Sequence, residues 1–330
     1  MQDRLTRLLK TKAESTMNGP RVSFSFLPDH PAFPLVVSPK TPGLILGEWV
    51  KENEDALNQK LNAHGALLLR GFHIDSVDKF QQFIGAFKVV PLQYRQRSSP
   101  RFAVAENVYH STTYPADQHI NMHSENSYAQ QWAMRILFCC VQPAEEEGET
   151  PIADNRRVLQ LIDPAIREKF LRKGVRYVRN ISPGIGLSWQ EVFQVTDRAE
   201  VEQECRNSGI SFQWEGTDKL VLSWDHQAIY DHPYTQEPVW FNHAFFFNKY
   251  ALPAEVQASF ASDGELPFHT YYGDGSEISA EEIENIRQAY AQATIKFPWV
   301  KGDVLLLDNM LMAHGRSPYK GSRQILVSMF

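Results

Sequence analysis

The sequence predicts a mainly β fold with helices, α+β in class: a double-sheet jelly roll carrying helical insertions. Three observations lead there. Short apolar runs of strand length recur, at Ala66–Arg70, Trp132–Val141, Val304–Leu307 and Arg323–Phe330. Turn signals separate them, as in Pro143 with Glu145-Glu-Glu147-Gly148, and in Lys301-Gly302-Asp303. Amphipathic helical patterns decorate the strands, the clearest over Glu277–Thr294, where Ser279 and Glu282 make a capping box.

In order along the chain, residues 1–20 are polar and are expected to form a flexible N-terminal arm, with 21–330 a single domain. Prolines are dense between Val22 and Pro42, which predicts extended or looped chain. Trp49, Leu57 and Leu61 are spaced for a helix over Trp49–Ala63, ended by Gly65. Ala66–Arg70 is a buried strand. Ser76 caps a second helix carrying Phe80, Phe83, Ile84 and Phe87. Residues 90–121 are irregular, the kind of long segment that forms lids or binding loops. Trp132–Val141 and Glu149–Ala153 are strands, and Asp154-Asn155 and Asp163-Pro164 open helices. An elaboration at about 174–240 holds a helix near Glu200–Ser208 and strands Ser211–Trp214 and Lys219–Trp224. Pro238–Phe247 is an aromatic-rich strand, best explained by core packing, although Asn242 and His243 interrupt it and could face a pocket. Val304–Leu307 is a buried strand, and Arg323–Phe330 is the last. The chain stops at Phe330, and a short tail beyond it is expected.

Composition excludes several classes. A length of 330 residues supports one large domain or two, and 43% hydrophobic with 22% charged residues is ordinary for a soluble globular chain. The net charge is −6 and no long basic run occurs, so neither nucleic acid nor a membrane surface is an expected partner. No apolar stretch is long enough to cross a bilayer, and the first residues lack a secretory pattern. Cys139, Cys140 and Cys205 are too few and too oddly placed for a disulfide framework; buried free thiols in the cytoplasm are expected.

The chemistry-bearing stretch is Asn121-Met-His123-Ser-Glu125-Asn126-Ser-Tyr128. Residues two apart on an extended strand share a face, so His123 and Glu125 can reach one ion. With a second histidine from elsewhere they make the two-histidine, one-carboxylate face of a non-haem Fe(II) oxygenase. With eleven histidines, about one His-x-Asp/Glu is expected by chance. A second does occur, His73-Ile-Asp75, but Asp75-Ser76 reads as the cap of the next helix, which makes it a decoy. His314 fits the missing ligand, since it follows a buried strand and sits beside Gly315. Three protein ligands leave the electrons for O2 chemistry to a 2-oxo acid, whose distal carboxylate needs an arginine and a hydroxyl. Arg323 and Thr150 are the candidates; a surface salt bridge and an ordinary strand threonine are their plain alternatives. Arg95, Arg97 and Arg101 can hold a substrate anion or form a solvated basic loop.

These segments together resemble the taurine dioxygenase (TauD/TfdA) family, and more narrowly its SyrP-like branch. The run Asn121–Tyr128, Gly148-Glu-Thr150-Pro-Ile-Ala-Asp154, Val239-Trp-Phe-Asn242 and Leu307-Asp-Asn-Met through His314-Gly-Arg316 to Arg323 carry the likeness, over roughly residues 60–330. The resemblance implies a double-stranded β-helix (cupin-like) core and an Fe(II)/2-oxoglutarate-dependent oxygenase using O2. It carries over His123, Glu125 and His314 as iron ligands, and Thr150 and Arg323 as anchors for 2-oxoglutarate. Many members have a second arginine deeper in the last strand, where Val327 or Ser328 stands here. Related halogenases lack the carboxylate ligand and so make room for chloride; Glu125 fills that room, which favours hydroxylation over halogenation. Desaturation, cyclisation or oxidative decarboxylation at the same site, and a non-catalytic metal- or partner-binding module, are the other readings. The implied substrate is an amino acid or an amino-acid-derived small molecule of specialised metabolism, free or tethered to a carrier protein. Arg95, Arg97, Asn107, Tyr109 and Asn126 are the candidate substrate contacts, and the 90–121 and 174–240 segments are expected to shape the substrate site.

Overall fold

The computed structural model describes residues 21–87, 103–112 and 114–330. The proline-rich start is extended and pairs with itself, β1 (Val22–Leu27) with β2 (His30–Pro39). The helix expected over Trp49–Ala63 is two, α1 (Leu46–Glu52) and α2 (Glu54–His64), broken at Asn53. The Asn53 side chain donates to the Trp49 carbonyl at 2.8 Å, the local competition that makes asparagine a poor helix-interior residue. Gly65, at φ 70°, ends α2 and turns the chain into β3 (Ala66–Leu69). Ser76 accepts from the Lys79 amide and opens α3 (Val77–Ile84).

In the described part of 90–121, read as irregular, there are short strands: β4 (Ala103–Ala105), β5 (Val108–His110) and the start of β6 (Ile120–His123). Then come β7 (Arg135–Gln142), β8 (Glu146–Glu147) and β9 (Ile152–Asp154). Asp154 and Asp163 cap α4 (Asn155–Leu161) and α5 (Pro164–Lys173), as their sequence suggests. The elaboration holds β10 (Val175–Ile181), α6 (Trp189–Phe193), α7 (Arg198–Asn207), β11 (Ser211–Glu215) and β12 (Lys219–His226). A small hairpin of β13 (Ile229–Asp231) and β14 (Pro238–Trp240) follows. The strand expected to reach Phe247 stops at Trp240. Asn242 donates to the Ala228 carbonyl and accepts from the Ala244 amide, which bends the chain out of the ladder. After α8 (Ala254–Ala258), β15 (Phe268–Tyr272) pairs with β10, so the elaboration's sheet takes a strand from beyond residue 240. The capped helix is α9 (Ala280–Ala293), and the chain ends with β16 (Thr294–Ile295), β17 (Val304–Asp308), β18 (Met312–Arg316), β19 (Tyr319–Lys320) and β20 (Gln324–Met329).

Two sheets make the jelly-roll core. The larger runs β1-β2-β3-β17-β7-β20-β5-β4, and the smaller runs β16-β9-β18-β6. Leu305, Leu307, Ile136, Phe138 and Ile325 of the large sheet pack with Ile152 and Met312 of the small one. The other face of the large sheet, through Val304, Leu306, Leu137 and Cys139, packs on Trp49, Leu57, Phe80 and Phe83. Val304–Leu307 is apolar at every position because both of its faces are covered. The same alternation splits the adjacent thiols between two cores, and burial pushes the Cys140 pKa up to about 12, leaving an inert thiol. A third cluster around Tyr177, Trp224 and Trp240 fills the elaboration and touches the core through Tyr128 and Ala313. Among the described residues no helix is long and apolar enough to cross a membrane.

Candidate active site

β6 and β18 are neighbours in the small sheet, and His123 lies directly opposite His314 in their register. Opposed residues on paired strands share a face, and here the imidazole centroids are 4.5 Å apart. Glu125 follows just beyond the strand end. Its carboxylate and the two rings each offer a ligand atom, and these atoms all lie within 4.8 Å of one another. Ser124, between the two, points the opposite way, where Asn155 donates to its hydroxyl at 2.9 Å. Gly315 follows from the same close pairing: a Cβ there would sit 2.7 Å from the Ile120 carbonyl of β6.

The donor set suits a ferrous ion, two imidazole nitrogens and one carboxylate oxygen on one face. The His123 ring is oriented for it. Its Nδ1 lies 2.9 Å from the Asn121 carbonyl, which can only accept, so Nδ1 carries the proton and Nε2 keeps its lone pair. The triad lines a cavity of about 590 Å³. His243 stands on the same wall, its ring 5.9 Å from His123, with Nδ1 2.7 Å from the Ser127 hydroxyl. Burial, with His123 beside it, holds the His243 pKa well down, so this ring is neutral.

Thr150 and Arg323 line the same cavity. Arg323 Nε donates to the Gly148 carbonyl at 2.8 Å, and its Nη2 reaches Thr150 Oγ1 at 3.4 Å. Trp299 Nε1 donates to that same oxygen at 3.2 Å. Two donors on Thr150 Oγ1 leave its own hydrogen to donate to an anion. Burial, and then Arg316, press the Arg323 pKa down to about 10, so the group stays charged at neutral pH in a place that favours a carboxylate. The residues therefore fit the distal end of a 2-oxo dicarboxylate. Gly148, at φ 73°, permits the approach; a Cβ would meet Tyr319 and Ala144 at 2.9 Å and Arg323 at 3.2 Å. Gly148→Ala should destabilise the fold by more than about 1 kcal/mol, read as a lowered urea midpoint.

Of the candidate substrate contacts, Tyr109 and Asn126 line the cavity. Asn107 does not; it takes the left-handed position (φ 58°) in the tight β4–β5 turn, a conformational use of asparagine. Arg95, Arg97 and Arg101 lie outside the described residues. The 174–240 elaboration contributes no lining residue. The wall comes from the segment after it, including His243, Phe246, Phe247 and Phe268. Arg316 was missed. It donates to the carbonyls of Tyr114, Pro115 and Gln118 and so holds the cavity rim. Its spacing of two from His314 on a strand was the available signal. Trp299, 149 residues from Thr150, gave none. The His73-Ile-Asp75 motif is elsewhere: Asp75 pairs with Lys79 at 2.6 Å, and His73 lines a second cavity, near α3, with no carboxylate among its described lining residues.

A jelly roll with two histidines and a carboxylate converging beside a half-buried arginine defines a class, the non-haem iron oxygenases that draw electrons from a 2-oxo acid. Residues 32–329 match the family described as taurine catabolism dioxygenase TauD, TfdA family, and the chain belongs to that family. It is a dioxygenase, with Fe(II), 2-oxoglutarate and O2 as its cofactor and co-substrates. The dapdiamide synthesis protein DdaC of Enterobacter agglomerans is 43% identical over 277 residues, covering 83% of this chain and 84% of that protein. The clavaminate synthase-like protein At3g21360 of Arabidopsis thaliana is 26% identical over 316 residues, covering 90% and 93%. The PvcB protein of Pseudomonas aeruginosa shares the fold, with a TM-score of 0.56 at 18% identity over 94% of this chain and 91% of that one.

Proposed function

We propose that this protein hydroxylates an unactivated C–H bond of an amino-acid-derived small molecule in specialised metabolism. In this reading His123, Glu125 and His314 hold Fe(II), Thr150 and Arg323 hold the distal carboxylate of 2-oxoglutarate, and residues 21–330 act as one oxygenase domain. The observation that carries it is the convergence of the three donors within 4.8 Å on the wall of a cavity that also exposes Arg323 and Thr150. Bound Fe(II) with 2-oxoglutarate supplies an O2-derived oxidant; substrate C–H becomes C–OH as 2-oxoglutarate and O2 become succinate and CO2. The chain positions and excludes. The Asn121 carbonyl fixes the His123 ring, Arg323 and Thr150 orient the keto acid, and Tyr128, Phe246 and Phe247 wall the substrate from water. Tyr109 and Asn126 offer it hydrogen bonds. Glu125 fills the third ligand position, which leaves no room for a halide and favours delivery of hydroxyl. The likeness to DdaC, a protein of dapdiamide synthesis, supports the substrate class.

The test is a screen of amino acids and their acyl derivatives, free and tethered to a carrier protein, with Fe(II), 2-oxoglutarate and O2. One compound should raise succinate release at least tenfold and gain one oxygen in mass. Succinate release that no compound stimulates, and that His123→Ala leaves unchanged, would sink the proposal.

A further inference from the structure

The turn joining β17 to β18 makes more buried polar contacts than a connection requires. Asn309 is fully buried and uses both of its donors and its acceptor oxygen. Its Oδ1 accepts from the Glu125 amide at 2.8 Å, and its Nδ2 donates to the Glu125 carbonyl at 2.9 Å and to the Ala133 carbonyl at 2.8 Å. β6 ends at His123, so Glu125 lies past the strand bounds. The amide of Asn309, 184 residues away in sequence, takes the place of a neighbouring strand.

The turn is itself fixed. Asp308 Oδ1 accepts from the Met310 and Leu311 amides. Its Oδ2 lies 3.0 Å from His232 Nε2, and the Thr235 amide donates to His232 Nδ1, so Nε2 carries the proton and donates to Asp308. Asn155 donates both to the Ser124 hydroxyl and to the Met310 carbonyl, at 2.9 Å each. Ser124, Asn155, Asp308, Asn309 and His232 are all buried. From Met312 the chain runs straight into His314. One turn therefore sets the backbone of the early carboxylate and the start of the strand that carries the late imidazole.

We infer that Asn309 is a positioning residue for the Glu125 carboxylate, and that the Asp308-Asn309 turn keeps the two halves of the metal site in register. This rests on the reading of His123, Glu125 and His314 as ligands. Metal sites demand ligand distances held to about 0.2 Å, which a carboxylate beyond its strand does not have without such a brace. Asparagine is the one side chain that fits: aspartate matches its shape but loses both donors and faces two carbonyl oxygens.

Co(II) titration of the full chain, followed by calorimetry and visible absorption, tests this. Asn309→Ala and Asn309→Asp should weaken Co(II) binding by about 10- to 100-fold, the loss typical of groups that orient a ligand, and change the visible spectrum. Leu57→Ala, in the separate core beneath α1–α3, should lower thermal stability but leave both readouts as in the wild type. His123→Ala should abolish specific binding. Should Asn309→Ala fail to fold, Asn309→Asp decides. Affinity within twofold of wild type in the Asn309 variants, with binding lost in His123→Ala, overturns the inference and leaves the ligand reading standing. An equal loss in Leu57→Ala also overturns it, because affinity then tracks stability. Wild-type binding by His123→Ala overturns the ligand reading and this inference together.

Discussion

His314→Ala is expected to leave a folded protein that no longer retains iron and no longer turns over. The ring packs at 4.5 Å from His123 and 5.1 Å from Phe138, between strands that keep their own ladder bonds. Removing it leaves a cavity, at a stability cost of about 2–4 kcal/mol, the range of large-to-small core changes. The metal loss should be larger in consequence. With one of the three proposed ligands gone, affinity should fall by more than the roughly 100-fold that an orienting group costs. Metal analysis of the purified variant, succinate release and far-UV circular dichroism separate the two effects. His73→Ala is the matched control, since His73 stands in the other His-x-acid motif. Equal iron retention in the two variants would dissolve the triad.

The candidate triad was legible because its donor pattern is sparse and lies on strands or just past their ends. His123-x-Glu125 needs only the two-residue period of a strand to be recognised, and His314 announced itself by following a run buried on both faces. What escaped depends on contacts between distant segments. Asn309 looks like an ordinary turn residue until Glu125 is found across from it. Trp299 cannot be tied to Thr150 from composition or period. The aromatic run after Pro238 has strand propensity throughout, but Asn242 diverts it, and the diverted part becomes cavity wall. Local pattern assigned the substrate wall to 90–121 and 174–240, and only the first of these lines the cavity, because pattern marks elements, not what faces what. The break at Asn53 is a side-chain-to-backbone competition too local for a helical spacing of apolar residues to register.

Arg323→Gln is expected to raise the KM for 2-oxoglutarate by about 100-fold while leaving metal affinity unchanged. The magnitude is that of truncating one partner of a buried, hydrogen-bonded charge pair, about 3 kcal/mol. Arg323→Lys should fall between, since an ammonium keeps the charge but loses the planar fork. A comparison of co-substrates makes the argument specific. A 2-oxo acid without a distal carboxylate, such as 2-oxobutyrate, should lose little in the glutamine variant, so the preference for 2-oxoglutarate collapses. Stability should hardly follow affinity. Burial and Arg316 lower the Arg323 pKa to about 10, below its ordinary 12.5, so folding disfavours the charged form at every pH below that value. Removing the charge relieves this cost at neutral pH. It sacrifices the bond to the Gly148 carbonyl, about 1 kcal/mol, so the melting temperature should change little. A large fall in melting temperature with KM and co-substrate preference intact would make Arg323 a structural residue of the Gly148 turn and leave the keto acid without its anchor.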